Sequence, residues 1–84
     1  MDNQDYNTFY LENKKIIDDN IKYNAKKYWS KFVELRKNSF LSQKDMEQEI
    51  YKEFFSRLIY FDTNKGALST FINVVSKTAF IKNI

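Results

Sequence analysis

Residues 42–61, SQKDMEQEIYKEFFSRLIYF, contain the clearest helix signal in the chain. Ser42 is a preferred N-cap residue, and Asp45 stands three residues later, where an acidic side chain completes a capping arrangement. Leu41 before the cap and Met46 after it can form a hydrophobic staple. The apolar side chains recur at helical spacing: Met46, Ile50, Phe54, Leu58 and Phe61. An amphipathic helix is therefore predicted, and the side away from the core carries Asp45, Gln48, Glu49 and Lys52.

The segment before it, from about residue 6 to residue 35, has the same periodicity. Its apolar stripe consists of Tyr6, Tyr10, Ile17, Ile21, Ala25, Tyr28, Phe32 and Leu35. The opposite side carries Lys15, Asp19, Lys22, Lys26 and Lys37. Asn13 and Asn20 interrupt the pattern, so this segment is either one long helix or two shorter ones, which Asn38 and Ser39 end.

Residues 62–66, DTNKG, predict a turn in which Gly66 is free to adopt a positive φ. A third helix is expected to begin near Leu68 or Ser69. Its core stripe is Leu68, Phe71, Ile72, Val75 and Ala79. The outward side is expected to carry Thr70, Asn73 and Lys77, followed by Phe80, Ile81 and Ile84. These patterns predict an all-α fold, a bundle of three or four helices that forms a single domain over residues 1–84.

The composition supports one aromatic-rich domain. Eight Phe, six Tyr and one Trp stand in 84 residues that include one Gly and no Pro, which argues against disorder. Without Cys or His, disulfides are impossible, zinc sites lose their usual ligands, and nucleophilic catalysis by Cys or His-activated Ser is excluded. No carboxylate pair stands out as acid and base, so we predict no catalytic residue, metal or cofactor, and no enzyme. Because no apolar run is long enough to cross a bilayer, we expect a cytoplasmic protein without a membrane partner.

The net charge of +3 is unevenly distributed. Residues 22–37 are basic and contain the single acid Glu34, whereas residues 45–53 are mainly acidic. After Asp62 the chain has no acid, although three lysines follow. Two basic stretches thus flank an acidic one, which fits either solvated helix faces or surfaces for charged partners.

From residue 42 to about residue 81, the chain resembles region 2 of the bacterial sigma-70 family. The family motif runs roughly Asp-Leu-x-Gln-Glu, a helix, Phe-Asp-x-x-x-Gly, and an aromatic-rich helix. The corresponding segments here are DMEQE at 45–49, FDTNKG at 61–66 and LSTFI at 68–72. The spacing after Gly66 is similar to that of the compact extracytoplasmic-function members, which carry Trp-Leu where this chain has Phe71 and Ile72. The motifs cover about half of the chain, and the basic helix before them fits the family more loosely.

The resemblance implies a subunit of transcription initiation. In the family, the helix after the Asp-Leu-x-Gln-Glu motif binds the clamp helices of the RNA polymerase β′ subunit. Asp45, Gln48 and Glu49 would be the contacts, with Lys52 and Glu53 beside them, and an acidic face can pair with Arg side chains of a partner. For Asp45, capping of its own helix is an equally good explanation. For the others, the alternative is a solvated surface.

The resemblance also implies contact with promoter −10 DNA that is partly single-stranded, because family members hold flipped bases in pockets. The candidate DNA contacts are Asn64, Lys65, Ser69, Thr70, Asn73, Lys77 and Thr78. Lys22, Lys26 and Lys27 are candidate phosphate contacts. Taken singly, each of these residues is also compatible with ordinary surface. Phe71 stands where the family has an aromatic residue, but its spacing assigns it first to the core.

Two features depart from the family. The paired Trp residues of housekeeping sigma factors are absent, and Asn73, Val74 and Val75 stand nearby, which puts unaided promoter melting in doubt. The chain ends at Ile84, without a domain for the −35 element. It is expected to be either a fragment or the stand-alone region-2 subunit of a split sigma factor that works with a separate region-4-like protein. Two other functions stay open: a polymerase-binding regulator or decoy without promoter recognition, and a plain DNA-binding helical domain.

Overall fold

The computed structural model describes residues 6–35, 42–62 and 66–82. Within these ranges all regular structure is helical: α1 (Tyr6–Glu12), α2 (Lys14–Leu35), α3 (Gln43–Arg57) with a following 3-10 turn (Leu58–Tyr60), and α4 (Leu68–Lys82). The prediction of an all-α fold is confirmed at this level. Within the described part of the chain, no helix is both long and apolar enough to span a membrane.

Of the two interruptions predicted in the first segment, only the one at Asn13 separates two helices. The Asn13 side-chain amide donates to the Phe9 carbonyl at 3.0 Å and so competes with the regular helical pattern. Asn20 makes a similar bond to the Ile16 carbonyl at 2.8 Å, yet α2 continues through it. The difference follows from packing, because Asn20 lies between Ile17 and Ile21, two fully buried core residues that hold this part of α2 in the bundle.

The predicted start of α3 is confirmed in detail. The Asp45 backbone amide donates to the Ser42 hydroxyl, and the Ser42 backbone amide donates to the Asp45 carboxylate, both at 3.1 Å. This reciprocal capping box satisfies two amides that the first turn would otherwise leave without partners. Leu41, the other half of the predicted staple, lies outside the described residues.

Helices α2 and α3 run antiparallel. Asp18 of α2 accepts a hydrogen bond from Tyr51 of α3, and the Tyr10 ring of α1 meets the Phe55 ring with centroids 5.7 Å apart. Residue numbers therefore fall along α2 and α1 as they rise along α3. The short α1 thus extends the bundle over the end of α3.

Helices α2 and α4 run parallel, since contacts advance along both helices together. Asn24 donates to the Asn73 side chain at 3.0 Å, and the Tyr28 and Phe80 rings meet farther on, with centroids 5.0 Å apart. The three long helices, each of which packs against the other two, form an up-down-up bundle. Its extents are 40 × 20 × 19 Å.

The buried core draws on all three long helices and the 3-10 turn. Its members are Ile17, Ile21, Ala25, Met46, Ile50, Phe54, Leu58, Ile72, Val75, Ala79 and Phe80. The sequence prediction that Phe80 faces outward was wrong, because its ring packs against Tyr28 on the neighbouring helix and is 9 % exposed. Phe61, Leu68 and Phe71, which were predicted for the core, are half-buried around its edge.

The predicted turn begins where the 3-10 turn ends, but residues 63–65 lie outside the described residues. Gly66 does not have a positive φ, so the conformational freedom expected for it is not used. A Cβ atom added at Gly66 would meet no atom within 4 Å. The glycine is therefore not required by its own backbone conformation or by close packing.

Candidate functional site

The outer side of α3 is a polar surface formed by Asp45, Gln48, Glu49 and Lys52, which we call the α3 face. Asp45, Gln48 and Lys52 are exposed and Glu49 is half-buried. Asp45, Gln48 and Lys52 lie opposite the buried side chains of the same helix because each helical residue turns by about 100°. The outward placement predicted from the sequence is confirmed for these three residues, whereas Glu49 lies at the border of the face and is only partly exposed.

Asp45 has a structural task at the edge of this face. Hydrogen bonds from the Ser42 backbone amide, together with the Ser42 side chain, lower the pKa of Asp45 below its usual value. Capping of α3 was one of the two explanations for this residue, and the capping box shows that it operates. The capping bond uses one carboxylate oxygen of an exposed side chain, so it leaves a further contact geometrically open.

Glu53 was predicted to lie beside the polymerase contacts, but it points into the bundle. It accepts a hydrogen bond from Arg57 Nε at 2.6 Å and from Lys82 Nζ at 3.0 and 3.1 Å. The hydrogen bond from Arg57 has the largest effect and lowers the pKa of Glu53. Burial alone would raise that pKa, but the bond from Lys82 lowers it further, so the pKa is below its usual value. Glu53 thus joins α3 to the end of α4, and we do not include it in the α3 face.

The residues of α4 that were predicted to contact DNA form one exposed side. Ser69, Thr70, Asn73 and Lys77 are exposed, whereas Thr78 is half-buried and donates its hydroxyl to the Val74 carbonyl at 3.0 Å. Asn64 and Lys65 lie outside the described residues. α4 contains no acidic residue, so the polar groups of this side are hydroxyl, amide and ammonium groups, next to the exposed apolar side chains of Val74 and Ile81.

An open cleft of about 260 Å³ lies between the end of the 3-10 turn and the first turns of α4. It is lined by Tyr60, Phe61, Asp62, Gly66, Ala67, Thr70, Phe71 and Val74. Phe61 and Phe71 pack together with centroids 4.8 Å apart, while Tyr60 is 81 % exposed. Aromatic walls with a hydroxyl and a carboxylate nearby can accept a planar ring that carries polar edges.

Sequence reasoning did not identify this cleft. Of its lining residues, only Thr70 was singled out as a functional candidate, because the aromatic pair reads as core when hydrophobic periodicity is the guide. The available signal was Tyr60, which lies next to Phe61 but off the buried stripe of α3. An aromatic side chain placed between a buried stripe and a turn is a candidate for the wall of a surface cleft.

The three lysines predicted to contact phosphates do not lie together. Asn24 marks the side of α2 that meets α4. Lys27, three residues on, lies about 60° from Asn24 around the helix, whereas Lys22 and Lys26 lie about 160° away. All three are exposed, but only Lys27 borders the same side of the bundle as the outward residues of α4.

In the ranges that the structure describes, no three His, Cys, Asp or Glu side chains come together as ligands for a metal ion. The described surface offers groups for binding: carboxylate and amide acceptors on α3, an aromatic cleft, and lysines beside α4. Comparison with models of known protein families, with curated proteins and with solved structures found no match for this chain.

Proposed function

We propose that this protein is a region-2-like sigma subunit of transcription initiation. In this proposal the α3 face binds the clamp helices of the polymerase β′ subunit, and the cleft with α4 contacts the promoter −10 element. Reading of the −35 element, which no part of the resemblance covers, is assigned to a separate region-4-like protein. The proposal rests on the resemblance of residues 42–81 to the family and on one structural observation: within the DMEQE motif Asp45 and Gln48 are exposed, and Glu49 beside them is half-buried.

The exposed arrangement of the α3 face supports polymerase docking. Gln48 and Glu49 are adjacent in sequence and together offer an amide and a carboxylate to a partner. Charge-assisted hydrogen bonds between a carboxylate and Arg are among the stronger polar contacts, and they add geometric specificity. Neither side chain takes part in the capping box or in the ion pairs of Glu53.

The cleft supports contact with an unpaired base. Proteins that hold single strands or flipped bases stack them on aromatic side chains and read their edges with polar groups. Tyr60 and Phe71 supply aromatic surface, and Thr70 and Asp62 supply polar atoms at the same cleft. The cleft opens beside the exposed residues of α4, so a strand could contact both surfaces at once.

Polymerase pull-down tests the docking step. We expect the wild type to recover core polymerase and Gln48→Ala/Glu49→Lys to recover much less, because the substitution removes an amide and reverses a charge on the α3 face. The matched control is Asn7→Ala/Glu12→Lys, which makes the same chemical changes at exposed positions of α1. Equal recovery by the wild type and the α3 variant would overturn the docking proposal.

Footprinting separates this function from its alternatives. Protection of a −10 element by polymerase that requires this chain supports the sigma-like function. Polymerase binding with inhibited initiation would instead indicate a regulator that occupies the clamp. No recovery of polymerase, together with salt-dependent DNA affinity that polymerase does not change, would indicate a plain DNA-binding domain.

A further inference from the structure

Two lysines of α2 are held over one aromatic ring. The Lys27 and Lys31 ammonium groups lie 5.3 and 5.9 Å from the centroid of the Tyr28 ring. That ring is itself fixed, because it packs against the buried Phe80 of α4. Cation–π attraction at exposed sites is worth only about 0.5–1 kcal/mol, but it restricts where the two ammonium groups go. The pair therefore concentrates positive charge beside the Tyr28 ring.

This charge borders the line along which α2 and α4 meet. We call this line the α2–α4 seam: Asn24, Lys27 and Lys31 of α2, with Asn73 and Lys77 of α4. Asn24 and Asn73 are bonded across it. Lys31 lies about 20° from Asn24 around α2, and Lys77 lies about 40° from Asn73 around α4. Because the two helices are parallel, the three lysines flank the same stretch of the seam.

The surroundings do little to neutralise these lysines. α4 has no acid, and the exposed Glu34 near the end of α2 is the carboxylate of that helix that lies nearest to Lys31 in sequence. The ion pairs among the described residues join Lys14 to Asp18, and Arg57 and Lys82 to Glu53, so none of them involves a lysine of the seam. The seam thus carries three ammonium groups and two amides, with one carboxylate nearby.

We propose that the α2–α4 seam binds the phosphate backbone of duplex DNA. The Lys27, Lys31 and Lys77 ammonium groups contact phosphates, and Asn73 supplies an amide donor. Lysine is a common phosphate ligand and acts toward it as a point charge. Duplex DNA carries one phosphate charge per about 1.7 Å of its axis, so lysines placed along two parallel helices with one nearby carboxylate complement its backbone.

The inference rests on the proposed contact with promoter DNA and extends it to the duplex. Thr70 in the cleft and Lys77 at the seam are seven residues apart on α4, which corresponds to about 10 Å of helix rise. That length spans about three base-pair steps of DNA. The seam would hold the double-stranded flank while the cleft receives a base from the opened part.

Salt-dependent binding of the full chain to a fluorescent duplex of random sequence tests the inference by anisotropy. We expect Lys27→Gln/Lys31→Gln to weaken binding and to reduce the slope of log K against log salt by about 1.8, since each phosphate contact contributes about 0.9. Lys22→Gln/Lys26→Gln is the matched control: it makes the same charge change at exposed positions of the same helix. The control slope should stay near that of the wild type.

Equal losses in the two variants would overturn the inference, because they would indicate a response to net charge and not to the seam. Unchanged binding by Lys27→Gln/Lys31→Gln would overturn it as well. If polyglutamate competes as well as DNA at equal charge, the seam binds acidic protein instead. Polymerase pull-down of the seam variant separates the two proposals: retained polymerase with lost duplex binding supports the seam, and lost docking by the α3 variant bears only on the proposed function.

Discussion

The Asp18 side chain joins three helices. Its carboxylate accepts hydrogen bonds from Tyr10 of α1 at 2.8 Å, from Tyr51 of α3, and from Lys14 of its own helix at 2.7 Å. Burial alone would raise the pKa of Asp18, but the bonds from Lys14, Tyr51 and Tyr10 outweigh burial and lower it. Burial raises the pKa of Tyr51, and the hydrogen bond to the Asp18 carboxylate raises it further. One acid thus positions α1 and α3 against α2.

We predict that Asp18→Asn lowers the free energy of unfolding by about 1–3 kcal/mol, because an amide cannot accept from three donors as a carboxylate does. Urea denaturation measures the change. Asp19→Asn is the control, since Asp19 is the adjacent exposed acid and exposed substitutions usually change stability by less than about 0.5 kcal/mol. Equal effects at the two positions would contradict the role of Asp18.

The same bonds predict how stability depends on pH. The pKa values of Asp18 and Glu53 are lower in the folded chain than their usual values. A carboxyl group with a lowered folded pKa stabilises the fold fully above its unfolded pKa, and this contribution is lost as pH falls through the folded pKa. The wild type should therefore lose stability below the normal carboxyl range, and Asp18→Asn should lose less of it. Thermal melts from neutral to acidic pH check both outcomes.

Gly66 gives a prediction of the opposite sign. Its φ is not positive, and an added Cβ would meet no atom within 4 Å. Gly66→Ala should therefore be neutral or stabilise the fold by up to about 1 kcal/mol, because alanine reduces the entropy of the unfolded chain. Denaturant titration measures it. A clear loss of stability would mean that the glycine uses a positive φ in solution.

At the scale of elements, the start of α3 depends on a single hydroxyl. Ser42→Ala removes the acceptor of the Asp45 amide and should cost about 1 kcal/mol, within the range of about 0.5–2 for N-cap serines. Ser30→Ala is a useful comparison, because Ser30 lies inside α2, where alanine is the better helix former. The two substitutions should shift the thermal midpoint in opposite directions. An unchanged or raised midpoint for Ser42→Ala would mean that the cap does not determine where α3 begins.

The helices themselves could be predicted because their signals are local. The capping pair Ser42 and Asp45 marks the start of α3, and apolar side chains at every third or fourth position mark the buried sides of α2, α3 and α4. Which interruption would divide the first segment could not be predicted. Asn13 and Asn20 have the same chemistry, and only the packing around them distinguishes their outcomes.

The remaining errors and omissions concern side chains whose environment is supplied by another helix. Asn24 is 2 % exposed, but its burial could not be predicted from a pattern of apolar residues. It is buried because its amide donates to the Asn20 carbonyl and to the Asn73 side chain. Phe80 was assigned outward by its angle on an isolated α4, and the Tyr28 ring from α2 covers it. The cleft was missed for the same reason, because it exists only where the 3-10 turn and α4 meet. Hydrophobic periodicity describes one helix at a time, so it cannot predict a site that two elements form together.

At the scale of the whole molecule, one small core carries all the proposed binding surfaces. The α3 face lies on the outer side of α3, while the cleft and the α2–α4 seam lie along α4. An aromatic series joins the core to the cleft, since Phe54 packs against Phe71 and Phe71 packs against Phe61. Surface substitutions should therefore separate the binding activities, and core substitutions should not.

Phe54→Ala tests this dependence on a common core. Phe54 is fully buried, with its ring centroid 5.2 Å from Phe55 and 5.7 Å from Phe71, so the substitution should cost about 3–5 kcal/mol. That is a large part of the stability of a small domain, commonly about 5–15 kcal/mol, so a measurable fraction of the chain should unfold on warming. Polymerase recovery and duplex affinity should then fall together with the circular-dichroism signal, and a stabilising osmolyte should restore them together. Gln48→Ala/Glu49→Lys should lose polymerase alone, and Lys27→Gln/Lys31→Gln should lose duplex DNA alone. If Phe54→Ala removed one activity while the helical signal and the other activity stayed intact, the surfaces would not share the core in the way that the helix packing requires.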